Sequence, residues 1–82
     1  MSEYIEEYLE LPTDQRLTWI ERHFKEISND RRLNLGQQIE GCAAFVEKIY
    51  AAEPSDEIRK TIEPLLNRVK QDENDMWATM DA

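Results

Sequence analysis

One histidine, one cysteine and eighteen carboxylates are the residues of this 82-residue chain whose types suit them to chemistry. Acid–base or nucleophilic catalysis needs a base within hydrogen-bond reach of a nucleophile, and a third group to stabilise the developing charge. His23 has no Ser, Cys or Asp beside it on its own helix, and Cys42 falls next to an apolar stripe, where a buried thiol is unreactive. The two read as an edge imidazole against Trp19 and a small packing residue.

The carboxylates raise the question of metals. A helical di-metal site takes inward-facing glutamates and a Glu-x-x-His pair from each of two helices, whereas Ile20 stands three residues before His23. Glu40, Glu47 and Glu63 lie off the apolar stripes and read as solvated. The run DENDMW at 72–77 lacks the turn glycine and closing glutamate of a calcium loop. A glycine-rich phosphate loop is also missing. The sequence therefore predicts no enzyme, no metal site and no cofactor.

Charge placement says more than the net charge of −8. Residues 11–70 carry ten acids and ten bases, so the excess lies in the ends: Glu3, Glu6, Glu7 and Glu10 at one, Asp72, Glu73, Asp75 and Asp81 at the other. Neither end has a Lys or Arg. Such a field repels phosphate backbones and anionic membrane surfaces and favours basic partners, which argues against direct nucleic-acid or membrane binding. Arg22, Lys25, Arg31 and Arg32 form a basic cluster near Trp19, but Glu21, Glu26 and Asp30 interleave with it. That cluster reads as a counterpart for the acidic ends of this chain or of a second copy.

The elements that position these residues are helical. With two glycines, three prolines and no Asn-Gly or Asp-Gly pair, hairpin signals are missing. The predicted class is all-α: a single domain over 1–82, built as a small antiparallel bundle of three long helices plus a short N-terminal one. Expected helices cover about 2–10, 13–28, 31–53 and 55–80, with Ser2, Thr13 and Ser55 as caps and prolines 12 and 54 as breaks. The stretch 33–52 holds only three charges, and Leu35, Ile39, Cys42, Val46 and Ile49 recur at helical spacing, so it reads as the central helix. Gly41 on it suggests close approach by a neighbour. Pro64 lies inside the last helical pattern and predicts a kink there, or a break with Thr61 as a fresh cap.

The opening MSEYIEEYLE lacks the basic start and apolar core of a secretory signal, and polar residues spread through 33–52 oppose a membrane span. A lone cysteine suits a reducing compartment. The expected location is cytoplasmic.

The functional expectation rests on the ends. Met76, Trp77 and Met80 continue the apolar pattern beyond the acidic Asp72, Glu73 and Asp75, on a helix longer than its neighbours. Apolar anchors ringed by carboxylates suit a protein partner with a basic surface. Tyr4 and Tyr8, with Glu6 and Glu7, offer a similar face on the first helix. The sequence thus predicts a non-catalytic interaction module, an adaptor or regulatory subunit, forming a homodimer. The alternative is a small acidic inhibitor that mimics nucleic acid and blocks a basic nucleic-acid-binding protein.

Overall fold

Low charge and period-3.6 apolar spacing make the stretch after Asn34 a helix that can be buried along much of its length, and the rest of the chain packs around it. The computed structural model describes residues 3–81, and the side chains of residues 4–79. It has four helices: α1 (Glu3–Glu10), α2 (Thr13–Ser28), α3 (Leu35–Ala52) and α4 (Asp56–Asp81). α2 and α4 each run antiparallel along α3, and the short α1 also docks on α3. The chain is an all-α antiparallel bundle of three long helices and one short one. Cys42, Ala43, Phe45, Val46 and Ile49 of α3 form the buried centre, met by Trp19 and Ile20 from α2 and by Ile58, Ile62, Leu66 and Val69 from α4.

α3 begins at Leu35, not at 31, because local side chains favour a different start. The Asn34 side chain accepts from the Gln37 N–H at 2.8 Å, and Gln37 Oε1 accepts from the Asn34 N–H at 3.0 Å, a reciprocal capping box. Upstream, Asp30 Oδ1 accepts from the Arg32 N–H at 3.0 Å, which turns 29–34 into a connection. Leu35, expected on the core stripe, is consequently 72% exposed at the first position of α3. α2 also differs at its start: Thr13 is already helical and Pro12 holds the cap position without a side-chain cap. Ser55 does cap α4, its Oγ accepting from the Ile58 N–H at 3.4 Å. Ser2 lies outside the described residues.

α2 packs closely on Gly41, since a Cβ placed there would lie 3.1 Å from Ile27 Cγ2. α4 runs unbroken through Pro64, so Thr61 is no cap; its hydroxyl donates to the Glu57 carbonyl at 3.0 Å. The proline still removes the bond its N–H would make to Lys60. An interior proline costs about 3 kcal/mol, while its stiffening of the unfolded chain returns about 1 kcal/mol. Pro64→Ala is therefore expected to stabilise the fold by about 2 kcal/mol, raising the melting temperature by roughly 8–16 °C in a circular-dichroism melt. An unchanged or lower midpoint would show that the helix is built around the proline.

Candidate functional site

α1 is fixed by charge as well as by packing. Arg16, on the core side of α2, sends Nη1 to both oxygens of Glu53 (3.1 and 2.8 Å), Nη2 to the Leu9 carbonyl at 3.0 Å and Nε to the Leu11 carbonyl at 3.1 Å. The two carbonyls lie at the C-terminal end of α1, where helix carbonyls run out of partners of their own. Glu53 follows the last residue of α3 and also accepts from the Ser55 N–H at 2.9 Å and from the Tyr8 hydroxyl. All three side chains are buried, Glu53 and Tyr8 at 1% and 0% exposure.

Burial works to raise the Glu53 pKa, but the Tyr8 hydrogen bond, the Ser55 N–H and the Arg16 guanidinium together outweigh it and hold the carboxyl below its ordinary 4.5. Burial, then the bond to Glu53, keeps the Tyr8 phenol protonated well above the usual tyrosine range. Because the folded Glu53 value lies below the unfolded one, its stabilisation is complete above about pH 4.5 and fades as pH falls through the folded value. Urea midpoints should therefore hold level from pH 7 to 5 and drop below pH 4.5, and Glu53→Gln should flatten that drop. A drop of the same size in the variant would place the acid sensitivity elsewhere.

Tyr8 accordingly does not belong to a partner surface. Together with Tyr4, Trp19, His23 and Phe45 it makes an aromatic cluster between α1, α2 and α3, with ring centroids 4.1–6.1 Å apart. His23 stacks on Trp19 at 4.1 Å, and its Nδ1 lies 3.1 Å from the Trp19 carbonyl. Tyr4 is half-buried against Phe45, while Glu6 and Glu7 face solvent. Cys42 is buried, and burial and then the Asp72 charge push its thiol up, away from reactivity.

The α4 end is arranged differently from a single apolar face. Met76 and Trp77 are neighbours in sequence and so sit about 100° apart around the helix. Met76 is half-buried toward α3, its Sδ lying 3.4 Å from where a Cβ on Gly36 would be. Trp77 is 47% exposed. Asp72 and Asp75 are exposed and Glu73 half-buried. The Asp75 carboxylate accepts from the Gln71 side-chain amide at 2.9 Å. The Met80 side chain lies outside the described residues. The acidic α4 end with Trp77 is thus the candidate site, and α1 does not extend it.

Two further features of the structure leave a signal in the sequence. Glu53 continues the α3 spacing 35, 39, 42, 46, 49, and Arg16 stands four before Ile20; charges on apolar stripes point to a buried pair. Leu17 and Leu35, 36% and 72% exposed, mark an apolar surface away from Trp77.

Among the described residues no group of three or more His, Cys, Asp or Glu could hold a metal ion, and no helix is long and apolar enough to cross a membrane. No protein-family model matches the chain, and neither curated proteins nor solved structures give a match.

Proposed function

We propose that this chain is a non-catalytic protein–protein interaction module, an adaptor or regulatory subunit that docks on a basic protein surface through the end of α4 and works as a homodimer in a cytoplasmic setting. The observation that carries the reading is Trp77: a large aromatic side chain left 47% exposed on a helix end that bears Asp72, Glu73 and Asp75 and no base. An exposed tryptophan supplies rigid apolar area at low entropy cost, the commonest kind of hot spot, and the carboxylates around it speed encounter with a positively charged partner.

The carboxylates of α1 ride on a different element, whose backbone hardly approaches α4. This favours docking by the α4 end alone over a ribbon of phosphate-like charges along both ends.

The test compares proteins captured by the wild-type chain and by Trp77→Ala. Basic proteins should be retained by the first and lost by the second. For a captured protein purified and re-tested, the substitution should cost at least about 2 kcal/mol, roughly a 30-fold weaker Kd. A captured set indifferent to Trp77 would sink the proposal.

A further inference from the structure

α3 does not fill the space between its two long neighbours. The α2 and α4 backbones hardly approach each other, and between them runs an open apolar groove floored by α3. Its upper and middle parts share Phe24 and Leu65. Its middle and lower parts share Leu35, Ile39 and Asp72. It is thus one channel from Leu17 to Thr79. α1 does not cover it: α1 packs on the Trp19 and His23 side of α2, roughly 130° around that helix from Leu17 and Phe24. Trp77 does not line it either, lying about 160° around α4 from Arg68 and Asp72 on the rim.

The rims show what fits. The α2 rim carries Glu21 and Lys25, and the α4 rim carries Arg68 and Asp72 at the same four-residue spacing, with Asp75 farther toward the lower end. In a chain of net charge −8 this face carries three acids and two bases, close to balance. It therefore offers little attraction to a strongly charged ligand, but the Arg68–Asp72 pair of the α4 rim is its own complement when reversed. Two copies of α4 crossing antiparallel about residue 70 place Arg68 of each opposite Asp72 of the other, forming two ion pairs from one two-residue pattern.

We propose that the α2–α4 groove is the seat of a second copy of this chain: a two-fold dimer in which the α4 ridge of each copy, with Leu65 about 8 Å from the crossing point, lies in the groove of the other. This rests on the reading of the chain as an interaction module and gives its homodimer a specific surface. The acidic ends do not oppose it. Asp75 and its counterpart come about 15 Å apart along the antiparallel helices, beyond the roughly 8 Å screening length at physiological salt. The area is adequate too. From Thr61 to Thr79 the groove runs about 27 Å, and the middle dimension of the molecule is 26 Å. Taken across the full width of the molecule, rims and flanks included, the face is at most on the order of 700 Å² before contouring, against the roughly 800 Å² per partner of a standard interface. Such a dimer leaves both Trp77 side chains on its outer flanks, so the assembly is bivalent toward the basic partner.

The experiment is sedimentation equilibrium on the full-length chain, with circular dichroism to confirm helical content. The wild type is expected at twice 9.7 kDa at high protein concentration. Leu65→Glu, Arg68→Asp and Asp72→Arg should each weaken the dimer at least tenfold. Arg68→Asp mixed with Asp72→Arg should restore it as a heterodimer, because each Asp then meets an Arg across the two-fold. Trp77→Ala should leave the dimer unchanged, which separates failure of this proposal from failure of the docking reading. A wild type that stays at 9.7 kDa overturns the proposal. So does a dimer that survives Leu65→Glu, one lost with Trp77→Ala, or a mixture that stays monomeric. A foreign helix that binds the groove of a monomeric chain would likewise overturn it.

Discussion

Arg16→Leu is expected to cost about 3–5 kcal/mol, because it leaves Glu53 charged in a place with almost no access to water and strips the Leu9 and Leu11 carbonyls of their donors. A domain of this length is stable by about 4–12 kcal/mol, so the loss can be most of the total. Urea unfolding followed by circular dichroism measures it directly. The double variant Arg16→Leu with Glu53→Leu should recover part of the stability, since removing both charges removes the uncompensated one. It should not recover all of it, as the two carbonyls and the Ser55 N–H still lose partners. If the double variant is no better than the single, the cost lies in the α1 carbonyls and not in the charge left on Glu53.

The second large effect is expected at Phe45, which is 6% exposed and touches Tyr4, Trp19 and His23. Phe45→Ala should cost about 3–5 kcal/mol, through lost transfer energy and the cavity left behind. The loss should fall unevenly. α1 spans eight residues, too few for a stable isolated helix, and depends on this cluster for its apolar contacts. Measured in a Trp77→Phe background, the emission of Trp19 should shift to the red well before helicity is lost. Coincident loss of both signals would show that α1 and the bundle come apart together.

The fold was legible where periodicity ran long. The apolar periodicity of α2 and α4 and the low charge of α3 identify three helices, because 16 to 26 residues give a helical period room to show. The core face of α2, however, is turned from the one its apolar residues mark: Arg16 and Trp19 are buried and Leu17 is 36% exposed. A short helix lacks that room: in α1, Tyr4, Ile5, Tyr8 and Leu9 all fall toward one side, yet Tyr8 is wholly buried and Leu9 39% exposed. What decides between them is Glu53, forty-five residues away. Pairings at that range leave no local trace except a charge standing on an apolar stripe. The start of α3 was hidden differently, in a competition between an Asp30 turn and an Asn34 cap that both suit the same residues. Met76 shows the limit at the candidate site. Its apolar character is plain in the sequence, whereas its direction, toward Gly36 and not toward solvent beside Trp77, depends on where α3 begins.

The tie between Tyr8, Arg16 and Glu53 also orders events in time. The α2–α3 and α3–α4 pairs join neighbours through short connections and can form as soon as both partners exist. α1 cannot finish until Glu53 has been made and placed, and closing that long loop carries an entropy cost which short-range pairing avoids. During synthesis, then, this segment emerges ahead of the others and waits as coil. The earliest-made helix of the four is completed only after the third has been made.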